Sequence, residues 1–224
     1  MKAKLVKNAF FLVLIADITI RIMGYHEFDK FLKPLLMPLM LYYLIERAAG
    51  KIYRNHLILA LGLIIAWIGD ILLLNKEPLF LKAGIGVFLI TQILYLIIFK
   101  SNIVGSVKQA ILENKVVSGA ILLYLIAMLL AAALFVEIPM VFFISIYAIA
   151  VAGSTLTSYL QDKSQPGYGL TTIGMSLFLI SDTLIGINNF ITAIPLAPLF
   201  IMGTYGIAQY LITEGVTVNE EMRN

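Results

Sequence analysis

The sequence predicts an all-α integral membrane protein, a bundle of eight transmembrane helices with both termini in the cytoplasm. This prediction depends on the composition, on eight apolar segments and on the distribution of Lys and Arg. Of the 224 residues, 61% are hydrophobic and only 13% are charged, against about 45–50% and 25% in soluble domains. The mean hydropathy is +0.96. Because a soluble domain must present a large polar surface to water, these values exclude a soluble, a disordered or a disulfide-stapled protein.

Eight apolar segments are each long enough to cross a bilayer, which takes about 20 helical residues. Alternating apolar and polar strands are absent from the sequence, and in lipid a continuous apolar run pairs its backbone groups only as a helix. We therefore predict one eight-helix domain over residues 1–216, followed by a short polar C-terminal tail at 217–224. The predicted helices are 5–24, 31–48, 57–74, 79–99, 117–136, 139–160, 168–188 and 194–213.

The first segment follows Lys2, Lys4 and Lys7, as the apolar run of a secretory signal follows its basic residues. However, Asp17 and Arg21 interrupt the run, and no small-residue cleavage site follows it. We therefore expect this segment to be retained as the first helix.

The lysines and arginines predict the orientation, because the cytoplasmic loops of membrane proteins carry an excess of them. Eleven of the sixteen fall on the side that carries both termini, which places that side in the cytoplasm. The longest loop, at residues 100–115, is then cytoplasmic and basic. We expect a solvated connector there, and the alternative is a short interfacial helix against anionic lipid headgroups. The five residues on the other side are Arg21, Lys30, Lys33, Lys76 and Lys82.

The two halves of the chain share a short pattern. Gly62 lies eight residues before Asp70, and Gly174 lies eight residues before Asp182. The two aspartates are 112 residues apart, which is half the chain length. Helices one to four and five to eight would then form a parallel repeat. The alternative is that two membrane helices acquired Gly and Asp independently.

Six charged residues fall within the predicted helices, where a charge near the membrane centre costs at least about 2.5–3.5 kcal/mol. In the predicted orientation, all six belong to the non-cytoplasmic half of the membrane. One polar cavity opening toward that face would accommodate them together with Asn75, Asn188 and Asn189. The six residues are Asp17, Arg21, Lys33, Asp70, Lys82 and Asp182.

Four of these charged residues have simple structural interpretations. Asp17 and Arg21 lie four residues apart on one helical face, so we expect them to neutralise each other. Lys82 lies near the end of a segment and can extend to the interface. Lys33 precedes Pro34, which suits a first helical turn, and it can either reach the interface or bind an anionic headgroup.

Asp70 and Asp182 are the candidate catalytic residues. Neither has a basic residue within four positions on its own helix, and the neighbours of both are apolar. Two carboxyl groups close together would share one proton, which supplies a general acid and a general base. The structural alternative is that Lys33 or Lys82 neutralises them.

Several other chemistries lack the residues they need. The chain has no cysteine, so it has neither a disulfide framework nor a thiolate nucleophile. Its two histidines, His26 and His56, fall in loops on opposite sides, so we expect no metal centre and no cofactor in the membrane. There is no Gly-rich phosphate loop and no nucleic-acid motif. An intramembrane aspartyl protease of the GxGD type would need glycine where Trp67 stands.

Five segments, spread from about residue 10 to residue 215, form an ordered set. They read KPLLMPLMLYYL (33–44), GDILLL (69–74), FLITQILYLIIF (88–99), GMSLFLISDTLIGINNF (174–190) and TYGIAQYLI (204–212). In this order they resemble the YhhN-like family, which includes the transmembrane lysoplasmalogenases. The paired GD and SD helices, together with the terminal TY…AQY helix, are the more specific features of the resemblance.

This resemblance implies eight helices and hydrolysis of the vinyl-ether bond of lysoplasmalogens, which gives a fatty aldehyde and a glycerophospho-amine. The two aspartates of the family correspond to Asp70 and Asp182. Where the family pattern has a histidine, this chain has Gln92, which can hydrogen-bond but does not titrate. The implied partners are a lysophospholipid substrate and membrane lipids. The compact chain with short loops is typical of bacteria, so we expect it in the inner membrane.

The expected mechanism uses the two carboxyl groups as a pair. One protonates the β-carbon of the vinyl ether, and its ionised partner stabilises the oxocarbenium ion and orients water, as two carboxyls do in glycoside hydrolysis. Lys33 or Lys82 would meet the substrate phosphate. For Tyr205 and Gln209 the alternative is helix-to-helix hydrogen bonding. The candidate substrate-binding residues are Lys33, Tyr95, Asn188, Tyr205 and Gln209.

Three other functions stay open at this point. One is a small-molecule or lipid transporter, or a scramblase, with an intramembrane carboxylate site. A second is a hydrolase that acts on another labile lipid bond, and a third is a non-catalytic membrane scaffold. An enzyme in detergent releases aldehyde, whereas transport requires two compartments, and a scaffold would tolerate Asp70→Asn.

Overall fold

The structure is a computed structural model that describes residues 1–75 and 77–222, apart from the side chain of His26. Lys76 and Arg223, which contribute to the predicted orientation, lie outside the described residues. The described part of the chain is all-helical, with a short 3-10 helix at His26–Phe28. Its α-helices are α1 (Lys2–Ile22), α2 (Asp29–Ala48), α3 (Arg54–Leu72), α4 (Pro78–Lys100), α5 (Val107–Glu113), α6 (Lys115–Phe135), α7 (Met140–Leu160), α8 (Tyr168–Phe190) and α9 (Ala197–Met222).

The eight long helices of the described residues fall on the eight apolar segments of the sequence. Five of them, α3, α4, α6, α7 and α8, are long and apolar enough to cross a membrane. The chain is therefore a helical, multi-pass membrane protein. Helices α1, α2 and α9 include more charged or polar side chains, such as Asp17, Lys33 and Gln209.

The loop at residues 100–115 contains the short helix α5. Ser106 caps this helix, because its hydroxyl accepts a hydrogen bond from the backbone N–H of Gln109 at 3.2 Å. Ala110 is the buried residue of α5. The helical alternative for this loop is therefore correct and the plain connector is not, while its contact with lipid headgroups stays a prediction.

Residues 217–222 form the last turns of α9 rather than the expected polar tail. Thr217, Asn219 and Glu220 are buried. Asn219 accepts a hydrogen bond from the backbone N–H of Gly167 at 2.7 Å, and Glu220 accepts one from Asn55 at 2.8 Å. These polar side chains extend the helix because they find partners on α8 and α3.

Helix α9 lies at the centre of the bundle, where it packs against α8 and also contacts α1, α2 and α3. It approaches α8 closely at Gly174, where a Cβ atom would lie 3.0 Å from the backbone nitrogen of Ile212 and 3.1 Å from the carbonyl oxygen of Ala208. Small residues allow such close contacts between membrane helices. Helix α6 lies at the edge instead, with Ala132 as its buried residue.

The helix contacts of the two halves correspond. Helix α3 packs against α4 as α8 packs against α9, and α2 packs against α9 as α7 packs against α4. Gly62 faces Tyr95 on α4, with a Cβ position 3.1 Å from the ring, just as Gly174 faces Ile212 on α9. The parallel repeat stays a hypothesis, and these matching contacts favour it.

Candidate active site

A cavity lies at the end of the bundle where α3 and α8 end and α2 and α9 begin. Its volume is about 130 Å³, which is room for about four water molecules at about 30 Å³ each. Most of its wall is apolar. The polar residues of the wall are Lys33, Asp70, Tyr124, Tyr147, Ser181, Asp182, Asn189 and Tyr205. Both candidate catalytic aspartates therefore line the same cavity.

Asp70 lies in the last turn of α3 and is 2% exposed. Lys33 of α2 places its Nζ 3.2 Å from Oδ1 of this carboxyl group. Tyr205 of α9 donates a hydrogen bond to Oδ2 at 2.8 Å. The indole of Trp67 donates to the carbonyl oxygen of Pro34 at 2.8 Å, which joins α2 to α3 beside this ion pair. The structural alternative for Asp70 is thus realised, because Lys33 is its counter-ion.

Asp182 on α8 has a different environment. The hydroxyl of Tyr147 on α7 donates a hydrogen bond to its Oδ2 at 2.7 Å. Among the described residues, the ion pairs include no lysine or arginine partner for Asp182. A charge in an apolar cavity without a counter-ion is costly, so this setting favours the protonated carboxyl. One wall therefore holds a compensated and an uncompensated carboxyl group.

Each aspartate has a neighbouring tyrosine, and each of these tyrosines has a neighbouring glutamine. Behind Asp70, the amide of Gln209 donates to the Tyr205 hydroxyl at 3.3 Å. Tyr95 in turn donates to Oε1 of Gln209 at 2.6 Å. Tyr95 and Gln209 are fully buried, and neither belongs to the cavity wall. They are placed to hold Tyr205, as in the helix-to-helix alternative, rather than to touch a ligand.

The corresponding set of residues next to Asp182 includes Gln92, the residue that departs from the family pattern. Gln92 of α4 lies next to Tyr147. Its Oε1 accepts a hydrogen bond from Ser154 of α7 at 2.6 Å. Gln92 is fully buried, and within the described residues its Nε2 has no hydrogen-bond partner. Among the described residues, Gln92 is therefore a neighbour of Tyr147 and not a hydrogen-bond partner of Asp182.

Asn188 does not line the cavity. Its Oδ1 accepts a hydrogen bond from the backbone N–H of Ile194 at 3.0 Å, so it fastens the loop between α8 and α9. The next residue, Asn189, belongs to the wall instead. The sequence pattern placed an asparagine at the correct depth but did not distinguish the two neighbours.

The prediction of one polar cavity for all six intramembrane charges was wrong. Asp17 and Arg21 form their own ion pair at 2.8 Å, as the sequence predicted, and Arg21 also lies 3.2 Å from Asp29. Lys82 does not belong to the cavity wall. The charges separate because a local partner on the same or the adjacent helix compensates most of them.

Tyr147 is the residue that sequence reasoning missed. A tyrosine inside an apolar helix resembles any core aromatic, so the composition of α7 gives no signal for it. The possible repeat of the two halves provides a signal for Tyr147. Lys33 lies 37 residues before Asp70 and Tyr147 lies 35 residues before Asp182, and each donates to the aspartate of the following helix.

A comparison with known protein families matches the YhhN family over residues 28–216, which is most of the chain. This chain belongs to the YhhN family. The matched range contains both aspartates and their direct partners, and it confirms the resemblance found in the sequence. The YhhN family is known as lysoplasmalogenase-like, which suggests a hydrolase in general terms. No match was found among curated proteins or among solved structures.

Proposed function

We propose that this YhhN protein is a lysoplasmalogenase, which hydrolyses the vinyl-ether bond of lysoplasmalogens to a fatty aldehyde and a glycerophospho-amine. The observation that carries the proposal is the pair of aspartates in one largely apolar cavity, where the described residues provide an ion-pair partner for Asp70 and none for Asp182. A vinyl ether needs a proton donor and a nearby anion, and an amphiphilic substrate needs an apolar site. Membership of a lysoplasmalogenase-like family supports the same activity.

The unequal settings support different roles for the two carboxyl groups. Lys33 and Tyr205 both stabilise negative charge on Asp70, so Asp70 is the carboxylate. Asp182 keeps its proton, because the lysine of the cavity wall, Lys33, is paired with Asp70. Asp182 is therefore the general acid, and Asp70 is the group that stabilises positive charge in the reaction.

The reaction begins when Asp182 transfers its proton to the β-carbon of the vinyl ether. The electron pair of the double bond forms the new C–H bond and leaves an oxocarbenium ion, which the Asp70 carboxylate stabilises. Water then adds to the cationic carbon and gives a proton back to Asp182. The hydroxyl of the resulting hemiacetal then gives up its proton and becomes the aldehyde carbonyl, the C–O bond to glycerol breaks, and the glycerol oxygen takes up that proton. One water is consumed, and Asp182 ends in its starting state.

The test is aldehyde release from a lysoplasmalogen by the purified protein in detergent. We expect Asp70→Asn and Asp182→Asn each to lower the rate by about 10²–10⁴, the usual contribution of acid–base groups. Asp17→Asn is the matched control, because Asp17 is a fully buried carboxyl group that is paired with Arg21 outside the cavity wall. Absence of aldehyde with the wild type across headgroups and pH values, or full activity in either variant of the pair, contradicts the proposal.

We also propose that all eight long helices cross the membrane, with both termini in the cytoplasm of a bacterium and the cavity toward the opposite face. The match between helices and apolar segments and the bias of Lys and Arg support this topology. Because the chain has no cysteine, single introduced cysteines can report the topology. Val104→Cys should react only from the cytoplasm and Ile138→Cys only from outside, and the reverse pattern would invert the topology.

A transporter of small molecules or lipids is the second candidate, and the matching helix contacts of the two halves favour it. It predicts movement of a labelled lipid between the leaflets of proteoliposomes. Under this alternative, Asp182→Asn abolishes movement and the wild type releases no aldehyde.

A further inference from the structure

We propose that the part of the cavity lined by Gly186 on α8 and Met128 on α6 binds the first carbons of the alkyl chain of a single-chain lipid, and that Gly186 determines how well the chain fits. The identity of this lipid as a lysoplasmalogen rests on the proposed function. The presence of a chain site does not, because it follows from the shape and lining of the cavity.

Gly186 lines the cavity one helical turn after Asp182, on the same face of α8. A Cβ atom at this position would have Met128 Cε as its neighbour, at 4.0 Å. Gly174 on the same helix is different, since there the backbone of α9 occupies the position of the missing side chain. Glycine within a helix costs about 0.5–1 kcal/mol relative to alanine. At Gly186 the neighbour is a side-chain end rather than a helix backbone, so close backbone packing does not account for this cost, whereas a ligand that uses the cavity beside Gly186 does.

The walls of this space suit a hydrocarbon chain. Helix α7 contributes Ile144, Ala148 and Val151, which recur on one helical face, and α8 adds Ile185. These side chains offer no hydrogen-bonding group. A ligand that fills the space must therefore be apolar along its length.

The position of α6 allows such a chain to continue into the membrane. Most side chains of α6 face outward, and Tyr124 joins it to α8 through a hydrogen bond with Thr183 at 2.8 Å. Since the cavity has room for only a few methylene-sized groups, the rest of a longer chain must lie outside it.

The chain site and the proposed acid agree in position. The carbon that is protonated in a vinyl ether is the second carbon of the chain, so the acid must lie where the chain begins. Asp182 is one turn from Gly186, which places it at that end of the site. A chain bound along Gly186 thereby presents its reactive carbon to Asp182.

The test measures binding rather than turnover, with a 1-O-alkyl glycerophosphoethanolamine whose saturated ether has no double bond to protonate. Gly186→Leu should raise the Kd of a long-chain analogue at least tenfold and that of a short-chain analogue by less. Gly169→Leu is the control, because Gly169 is on the same helix, has open space at its Cβ position and lies outside the cavity wall. Equal binding by Gly186→Leu and the wild type, or equal weakening in both variants, overturns the proposal.

A second measurement uses the wild type, so it does not depend on the folding of a variant. An analogue with a photoreactive group in its chain should label peptides containing Met128 or Ile185, and labelling confined to other helices contradicts the site. Binding with the expected Gly186 effect but no aldehyde from a lysoplasmalogen would refute the proposed function and leave the chain site intact. Aldehyde release without a chain-length effect in Gly186→Leu would refute the chain site alone.

Discussion

Replacing Lys33 with methionine separates two roles that this lysine could have. In the structure it is 8% exposed, and its Nζ lies 3.2 Å from Oδ1 of Asp70. At that distance and an effective dielectric constant of about 20, the attraction is about 5 kcal/mol. Removing one partner of a buried pair costs about 3–5 kcal/mol, because a buried charge is left uncompensated. Without Lys33, Asp70 takes up a proton and becomes neutral, which avoids the buried unpaired charge. A neutral Asp70 no longer stabilises an oxocarbenium ion.

We therefore expect Lys33→Met to lower both thermal stability and turnover. Loss of one preorganised electrostatic partner of a transition state lowers kcat by about 10²–10³. The double variant Lys33→Met/Asp70→Asn should recover stability, since it buries no unpaired charge, but it should not recover activity. Aldehyde release and thermal unfolding in the same detergent measure the two effects. Lys82→Met is the matched control, because Lys82 lies at the same end of the bundle but outside the cavity wall.

A comparison of two substrates, with and without a phosphate group, can refute this prediction. If Lys33 acts through Asp70, Lys33→Met loses the same factor with a lysoplasmalogen and with a neutral 1-alkenylglycerol that has no phosphate. If the variant loses activity only with the phosphate-bearing substrate, Lys33 binds the headgroup and the counter-ion role is wrong. Unchanged turnover with both substrates would remove Asp70 from the mechanism.

Two further predictions concern single contacts. Tyr147→Phe should reduce kcat about tenfold, because the Asp182 carboxyl group loses the hydrogen bond that orients it. Tyr124→Phe, at another hydroxyl of the cavity wall, should leave kcat close to that of the wild type. Gly174→Ala should destabilise the protein by about 1–3 kcal/mol, because its Cβ meets the backbone of α9. Gly169→Ala on the same helix should be neutral or slightly stabilising in the same unfolding assay, and equal loss in both would show that helix contact is not the cause.

The sequence predicted the helices well because hydrophobic length is a local property. It also predicted the Asp17–Arg21 ion pair, since both residues lie on one helical turn. That Asp70 and Asp182 line one cavity followed from their equal depth in the membrane.

Residue depth does not specify which helices touch, and the missed features are all contacts between helices. From the sequence, Lys33 could bind either a headgroup or a carboxylate, and only the packing of α2 against α3 distinguishes these partners. Asn188 and Asn189 have the same depth, and only the geometry of the following loop distinguishes them. In the sequence, the polar end of α9 resembles a tail, and only its contact with the start of α8 through Asn219 distinguishes it from one.

The comparison of the two halves suggests where the acid and the base originate. Each half supplies an aspartate and a donor on the preceding helix, with lysine in the first half and tyrosine in the second. Two lysines would leave two ionised carboxylates, and the site would have no acid. Two tyrosines would leave both carboxyls without a counter-ion, and the site would have no stable anion. Under the proposed function, Lys33 and Tyr205 make Asp70 the stabilising anion, and Tyr147 without a lysine leaves Asp182 as the acid.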